Sequence, residues 1–507
     1  MKILPQKESM IVEFKSDLKL LPDSELVDEV VGLANTKGGT IYLGIEDDGK
    51  VTGAHKKHCD PNGVIALISN RTTPSVSVQA NLIYEIEGND SRAILEIIVP
   101  KSKSIVSTSG GKILRRRLKL DGSPEIVPMY PYEIPTRLSE LSVLDYSAQK
   151  VTQASVDDIS SEEISGLRKI IQENQASDKS LLNLDDEELC LALHLITKSD
   201  ENDGIFYPTV AGLILVGKAE KIEKFVPTAK SEFQVLDGTT VRVNEESYSS
   251  ILSAIEKFEA FFSAWNPENE FQEGFYRIGI PEFDLTSFRE ALVNAFCHRD
   301  YTILGAVRIL IDGEGLSITS PGCFIDGISA ENLLSVEPHG RNPCLADILK
   351  RIGLAEKTGR GIDRIYEGQI LYGREWPDYT ESTSRYVRVF LQRAKPDFNF
   401  YKMIREAESK SGKSFSISQL LILSLLKKEG KISKKKILEK TQLSELRFET
   451  AIMNLADLNL IKSEGNPKNP LFILDESKYK SEKFAQKTTV SKLQDSFPLR
   501  QDRSRLF

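Results

Sequence analysis

Two polar stretches interrupt the apolar pattern of this chain and divide it into parts that each need a core of their own. They lie at residues 146–160 and 396–413, where serine, glutamine and charged side chains replace a regular spacing of apolar residues. A chain of 507 residues also exceeds what one hydrophobic core usually serves. We therefore predict an α+β multidomain protein. Its predicted parts are a first domain at 1–145, a linker at 146–160, a second module at 161–395, a helical domain at 414–475 and a flexible tail at 476–507.

Composition narrows the class of protein. Hydrophobic residues make up 40% of the chain and charged residues 28%, which are ordinary values for a folded globular protein. No apolar run approaches the roughly 20 residues that a membrane-spanning helix needs, and the first residues lack the apolar stretch of a signal peptide. The five cysteines are scattered, as expected for reduced thiols. We expect a cytoplasmic protein.

The first domain begins with a helix and continues with strands. In residues 23–37 the apolar side chains share one helical face, with Asp23 or Ser24 as the N-cap and a glycine pair after the end. Residues 40–45, 75–83 and 93–99 have the apolar pattern of strands.

Acidic residues from two separate stretches of this domain form a candidate catalytic site. If residues 10–15 form a strand, Glu13 and Lys15 project from the same face, because side chains alternate along a strand. With Glu8 and Asp47 nearby, the three carboxylates could bind Mg²⁺ or Mn²⁺ as metal ligands while Lys15 steadies a phosphate. Glu8, Glu13, Lys15 and Asp47 are therefore the candidate catalytic residues. The acids could instead orient a turn or pair with Lys15, which would leave a binding domain without catalysis.

A basic run follows at Arg115, Arg116, Arg117 and Lys119. The net charge of the chain is −8, so attraction to a polyanion must come from local patches of this kind. Guanidinium groups suit phosphate oxygens and position a backbone without reading sequence. These four residues are the candidate nucleic-acid-binding surface, and a solvated charged face is the alternative.

Three segments of the first domain occur in a recognisable order. They are ESMIVEFK from Glu8, LANTKGGTIYLGIEDDG from Leu33 and VTG from Val51. Together they resemble the AlbA-like domain of the Schlafen family over roughly residues 5–135. The resemblance implies nucleic-acid binding. In Schlafen nucleases, three acidic residues that match Glu8, Glu13 and Asp47 cleave structured RNA such as tRNA, with Asp48 as the alternative for the third position.

The second module carries a polar stripe on one helix. In residues 288–301, Glu290, Asn294 and His298 lie four positions apart and therefore share a helical face. The sequences SPG ending at Gly322, RNP and EKTGRGIDR follow in order. This pattern resembles the C-terminal module of prokaryotic proteins labelled RecG-helicase-related, which is distantly similar to GHKL ATPases.

The second resemblance implies a nucleotide pocket within residues 200–395. Glu290 would activate water, and Asn294 would be a further metal ligand, holding Mg²⁺. Glycines would let backbone N–H groups approach the phosphates of ATP. The sequence TSPG stands where GHKL proteins carry an aspartate that reads adenine, so adenine specificity stays open, and no helicase motor motif is present. The candidate cofactor-binding residues are Glu290, Asn294, His298, Gly322, Gly359 and Gly361.

Three short helices are predicted at 416–429, 433–441 and 444–460, before a turn and a strand. Their connections have the length expected of a helix-turn-helix, which predicts a winged helix at 414–475 with the third helix as the recognition helix. That helix carries Glu445 and Glu449 beside Arg447. Because helices that read DNA usually present more basic and amide groups, protein contacts are an equal alternative.

Two functions remain open from the sequence. The first is a nucleic-acid-binding protein that acts as an ATP-responsive, metal-dependent endonuclease on RNA or DNA in prokaryotic defence or stress, as a homodimer or larger homo-oligomer. The second is a non-catalytic, DNA-binding transcriptional regulator whose GHKL-like module senses a ligand. Cleavage that depends on Glu13 would distinguish the first from the second.

Overall fold

The structure is a computed structural model, and it describes residues 4–87, 90–141, 143–199, 204–273, 275–325, 327–336, 340–355, 359–466, 470–475, 477–479 and 487–489. The chain divides into two units, Met1–Leu144 and Asp145–Phe507. Each combines helices with sheets, which confirms the α+β multidomain class. Within the described residues, no helix is both long and apolar enough to cross a membrane.

The first unit is built on a four-stranded sheet. Its elements are β1 (Val12–Lys15), α1 (Asp23–Ala34), β2 (Gly39–Leu43), a 3-10 helix (Lys56–His58), α2 (Pro61–Arg71), β3 (Thr72–Thr73), β4 (Gln79–Glu87), β5 (Asp90–Val99), β6 (Ser107–Thr108), β7 (Leu114–Leu118), β8 (Pro124–Pro128) and α3 (Glu133–Glu140). The strand order is β1-β2-β5-β4, with β1 parallel to β2 and the other pairs antiparallel. Apolar side chains of α1, α2, β2 and β5 form the main core.

The helix α1 differs from the prediction at its N-terminus. Pro22 occupies the N-cap position, and neither Asp23 nor Ser24 caps the helix with its side chain. Proline suits this end because its fixed φ matches a helix start and its missing N–H would have no partner there. At the other end, the side chain of Asn35 exchanges hydrogen bonds with the backbone of Val106 and donates to the carbonyl of Leu114. This fixes the segment that leads into β7 against α1.

The second unit contains a five-stranded sheet in the order β12-β11-β15-β16-β17. The helix α9 contacts this sheet at β16 and the helices α8, α10 and α11. The elements up to the sheet's last strand are two 3-10 helices (Val156–Asp158 and Lys179–Asn183), α4 (Ser161–Glu173), α5 (Asp186–Ala192), β9 (Ile196–Lys198), β10 (Phe206–Pro208), α6 (Val210–Val216), α7 (Ala219–Phe225), β11 (Ser231–Asp237), β12 (Thr240–Ser247), α8 (Ile251–Ala264), β13 (Glu268–Glu273), β14 (Tyr276–Pro281), α9 (Leu285–Cys297), β15 (Val307–Ile311), β16 (Gly315–Pro321), α10 (Pro343–Arg351), α11 (Gly361–Ile370) and β17 (Tyr386–Gln392).

The segment predicted as a linker at 146–160 instead packs within the second unit. Lys150 forms a β-bridge with Thr209, and the buried Ser147 accepts a hydrogen bond from the backbone N–H of Leu345 in α10. Its polar residues bond to backbone groups of other elements, and apolar periodicity cannot register such contacts. The polar stretch at 396–413 likewise contains a helix with a buried apolar face, α12 (Phe398–Ser411).

Whether the C-terminal elements form a winged helix stays a prediction; the described residues of this part contain three helices and four short strands. They are α13 (Ile417–Glu429), β18 (Ile432–Ser433), α14 (Lys434–Thr441), α15 (Glu445–Asp457), β19 (Ile461–Glu464), β20 (Leu471–Leu474) and β21 (Lys487–Thr489). Three of these strands form a sheet in the order β18-β20-β19. Whether α15 reads DNA stays a prediction. The predicted flexible tail at 476–507 lies mostly outside the described residues.

Candidate functional site

Glu13 lies at the centre of a buried network of charges in the first unit. Its Oε1 is 2.8 Å from Nζ of Lys15, and its Oε2 is 2.5 Å from Nη2 of Arg116. Nζ of Lys15 is also 2.9 Å from Oε1 of Glu29 on α1, and Nη1 of Arg116 is 3.8 Å from Oε2 of the same residue. Two carboxylates therefore face two cations. Burial alone would lower the pKa of Lys15, but the two carboxylates have the larger effect and raise it.

This network does not fit the metal site predicted from Glu8, Glu13 and Asp47. Burial, followed by the carboxylates of Glu13 and Asp47, raises the pKa of Glu8. However, both oxygens of Glu13 contact cations, and Oε1 of Glu8 accepts a hydrogen bond from the backbone N–H of Phe14. Among the residues that the structure describes, no group of three His, Cys, Asp or Glu side chains could hold a metal ion.

The predicted basic surface is divided between two faces of β7. Arg116 points inward, is 2% exposed, and donates to the carbonyls of Ser9 and Val12 as well as to Glu13. Its neighbours Arg115 and Arg117 lie on the other face, since side chains alternate along a strand. They pair there with Glu133 and Glu125, respectively. Arg116 is thus a structural residue, while Arg117 and Lys119 remain accessible to a ligand.

The first unit should become more stable as the pH falls from 8 to 5. Burial, followed by the charge of Glu13, raises the pKa of Glu29 from 4.5 to about 7. The folded unit therefore takes up a proton that the unfolded chain does not bind, which stabilises the fold by about 2–3 kcal/mol at the acidic end of this range. Glu29→Gln should reduce this pH dependence. Calorimetric unfolding of both proteins at pH 5 and pH 8 measures the difference, and an equal pH dependence in the two proteins would contradict the assignment.

A cavity of about 230 Å³ opens in the second unit beside α9, β16, β17 and α11. Its lining is mostly apolar and includes Phe324, Leu333, Tyr379 and Val389. The six residues predicted to bind a cofactor all line this cavity. They are Glu290, Asn294, His298, Gly322, Gly359 and Gly361. The adjoining predicted residues 356–358 lie outside the part of the chain that the structure describes.

The helix α9 orients three of these side chains. Its N-cap Asp284 accepts a hydrogen bond from the backbone N–H of Ser287, which fixes the start of the helix. One turn later Glu290 is 2.8 Å from Arg364 on α11. Asn294 follows, and its amide makes no side-chain hydrogen bond within the described ranges. It is therefore available to a ligand.

His298 at the end of α9 is open to the cavity. The surrounding protein atoms, followed by the cations of Arg341 and Lys350, lower its pKa to about 4. The imidazole is therefore neutral at physiological pH and can donate or accept a hydrogen bond. Lys350 on α10 also lines the cavity, and it has no ion pair with any residue that the structure describes. Sequence reasoning missed Lys350, because it belongs to none of the motifs.

Glycine is required at Gly322 and at Gly361 for different physical reasons. Gly322 has a φ of +111°, which disfavours any side chain. A Cβ there would also lie 2.9 Å from Cβ of Asp300, which is too close. A Cβ on Gly361 would lie 2.9 Å from Oε2 of Glu290 and 3.5 Å from the amide of Asn294. The missing side chain of Gly361 thus keeps the polar end of the cavity open.

The polar groups among the described lining residues include several hydrogen-bond donors and one carboxylate. Asn294, Lys350 and the backbone at Gly359 and Gly361 supply amide and ammonium donors. At the SPG segment, the hydroxyl of Ser320 donates to the carbonyl of Ala295 at 2.6 Å. The one carboxylate among the described lining residues is Glu290, which pairs with Arg364. The described part of the lining therefore offers no free carboxylate to an adenine amino group.

Comparisons with known proteins match three parts of the chain to family models. Residues 8–121 match the family described as Schlafen, AlbA_2, and residues 139–232 match a domain of unknown function, DUF8451. Residues 305–391 match HATPase_c_4, whose description names the C-terminal part of the ATP-dependent DNA helicase recG. The chain therefore carries a Schlafen AlbA_2 domain and a RecG C-terminal-like domain, which confirms both resemblances. The first of these matches indicates a nucleic-acid-binding protein.

Solved structures support the fold. One of the 13 matching chains is the DIP2311 protein from Corynebacterium diphtheriae, which is 23% identical with a TM-score of 0.53, and the match covers 92% of each chain. At this identity the likeness extends to the fold alone. A comparison with curated proteins found no match.

Proposed function

We propose that this chain is a ligand-responsive regulator that binds nucleic acid without cleaving it. Its first unit binds the nucleic acid, and the cavity of its second unit binds a phosphate-bearing ligand, with nucleoside triphosphates as the candidates. The choice of a regulator over a nuclease depends on one observation: both carboxylate oxygens of Glu13 face the cations of Lys15 and Arg116. A metal ion at Glu13 would have to share its carboxylate with these two positive charges, and their repulsion opposes metal binding.

A metal-dependent endonuclease is the second candidate, and one observation favours it. Glu8 lies close enough to Glu13 and Asp47 for their charges to raise its pKa, after burial. For these acids to share Mg²⁺ or Mn²⁺, Lys15 and Arg116 would have to leave Glu13. Cleavage of RNA or DNA in Mn²⁺ that Glu13→Ala abolishes would establish this function in place of the regulator, with a defence or stress role following from it.

The phosphate end of the cavity should dominate nucleotide binding. We expect ATP and GTP to bind with dissociation constants within a few-fold of each other, because none of the described lining residues offers a free carboxylate to adenine. Lys350→Met should weaken both about 10-fold or more, since a hydrogen bond to a charged group contributes about 1.5–3 kcal/mol. Isothermal titration with each nucleotide and Mg²⁺ measures these constants, with the exposed Lys410→Met as the matched control.

Two outcomes would contradict this proposal. The absence of heat with either nucleotide at millimolar concentration would remove nucleotides as ligands, and a preference for ATP above 100-fold would show that adenine is read. The response of the protein is tested by fluorescence anisotropy of labelled RNA and DNA with and without ATP. Light scattering of the same samples measures whether the chain forms the homo-oligomer that we also propose.

A further inference from the structure

Two tyrosines form an exposed stack between β8 and α3 of the first unit. Tyr130 is 47% exposed and Tyr132 is 73% exposed. Their ring centroids lie 5.9 Å apart, and the ring planes differ by 8°. The loop is held in place because Oε2 of Glu133 accepts a hydrogen bond from the backbone N–H of Tyr130, while Oε1 pairs with Arg115. The aromatic surface is therefore fixed and remains in contact with water.

Basic side chains lie on the hairpin of β7 and β8, which leads into this stack. Arg117 is paired with Glu125 across the hairpin, and its pKa is raised, first by its hydrogen bond to Glu125 and to a smaller degree by Tyr130. Lys119 follows β7 at the turn of the hairpin, where its backbone N–H donates to the carbonyl of Ser123. It is exposed, and it has no ion pair within the described residues.

We infer that Tyr130 and Tyr132, together with Arg117 and Lys119, form a binding site for single-stranded nucleic acid. An unpaired base stacks on the outer face of Tyr132, and the two cations contact phosphates further along the same strand. The base cannot enter between the rings, because two stacking contacts of about 3.5 Å each need about 7 Å and the centroids are 5.9 Å apart. Aromatic platforms beside basic groups are the usual means of binding single strands.

The geometry favours a single strand over a duplex. In a duplex both faces of a base are already stacked, so an external tyrosine finds no free base face except at the ends. An unpaired base gains the contact without such a cost, and the contact tolerates any base because every base has a π-face. RNA and DNA share this chemistry.

The ion pair of Arg117 with Glu125 does not block the site. Its Nε is 2.7 Å from Oε1 of Glu125, but the arginine side chain is 49% exposed. Exposed pairs of this kind contribute little, so a phosphate can replace the carboxylate. Glu125→Gln should therefore strengthen binding several-fold, because it removes the competing negative charge.

The test uses the full chain and fluorescein-labelled 12-nucleotide strands of RNA and DNA, with the matching duplexes, in fluorescence anisotropy. Tyr132→Ala should weaken single-strand binding about 5- to 150-fold, while Tyr132→Phe keeps the ring and should bind like the parent. Tyr84→Ala is the matched control, because Tyr84 is an exposed tyrosine on β4 of the same unit. Lys119→Gln should reduce the slope of log K against log salt concentration, whereas Tyr132→Ala should not.

This inference rests on the proposed nucleic-acid binding, and the outcomes separate the two. A parent protein that binds none of the strands or duplexes would overturn both. A parent that binds while Tyr132→Ala binds equally well would overturn only the stacking site. A Tyr132→Ala variant could also lose oligomeric mass in light scattering while its affinity for the strands is unchanged. This result would assign the tyrosines to a contact between copies of the chain and would likewise overturn the stacking site.

Discussion

Replacing Arg116 with methionine will destabilise the first unit by about 3–5 kcal/mol, the usual result of removing one partner from a buried ion pair. The side chain of Arg116 is 1% exposed, and that of Glu13 is 8% exposed. Without the guanidinium, the charges of Glu13 and Glu29 are left with Lys15 alone. The carbonyls of Ser9 and Val12 lose a donor as well. The two carboxylates then share one cation, and the excess negative charge cannot be fully hydrated at this depth, so the folded state loses stability.

Hydrogen exchange measured by mass spectrometry resolves this loss, because peptides covering β1 and β2 report on the first unit alone. Arg117→Met is the matched control. It removes the same charge from the next position, but its partner Glu125 is accessible to water, and we expect no measurable change in exchange. Equal protection of β1 in the parent and in Arg116→Met would show that Arg116 does not hold Glu13.

Apolar periodicity predicted the elements that have one continuous apolar face. The helix α1, the helix α9 and the three C-terminal helices lie close to their predicted bounds, because burial of one face is what stabilises such helices. The segment at 146–160 escaped the same reasoning, since backbone pairing and polar side chains hold it.

The buried network of charges around Glu13 includes a contact that a pattern along the sequence cannot predict. Glu13 and Lys15 were predicted to share a face, and they do. Their partner Arg116 comes from a strand about 100 positions further along the chain, and only the folded topology brings the two together. The sequence did, however, contain a signal that Arg116 is buried. In LRRRL the alternation places Arg116 on the same side as Leu114, which is 7% exposed, so this arginine belongs to the buried face.

At the cavity, by contrast, motifs in the sequence did predict residues that come together in the fold. Residues from three motifs separated along the chain were predicted to bind one cofactor, and those that the structure describes line a single cavity, whereas the RNP motif does not line it. The spacing of the motifs could not predict which buried charges pair with each other. Asp300 and Arg341 belong to two of the motifs, yet their pairing depends on the turn after α9 and on the start of α10. Burial, followed by the cations of Arg341 and Lys350, lowers the pKa of His298.

Arg341→Met should have the second large effect, a loss of about 3–5 kcal/mol in the second unit. Nη1 of Arg341 lies 3.1 Å from Oδ2 of Asp300, and their side chains are 1% and 2% exposed. Thr302 donates to the other oxygen of Asp300, so Oδ2 would be left without a described partner. The carbonyl of Cys323 would lose its donor too. The turn that carries Gly322 into the cavity depends on both contacts.

Denaturant unfolding followed by tryptophan fluorescence measures this effect selectively, since Trp265 and Trp376 are the two tryptophans of the chain and both lie in the second unit. Arg308→Met is the control, because Arg308 is exposed and bonds to the neutral Gln234. The cation of Arg341 also helps to lower the pKa of His298, so the imidazole should titrate at higher pH in the variant, which NMR can follow. An unchanged unfolding midpoint with an unchanged titration of His298 would show that Arg341 supports neither the fold nor the cavity.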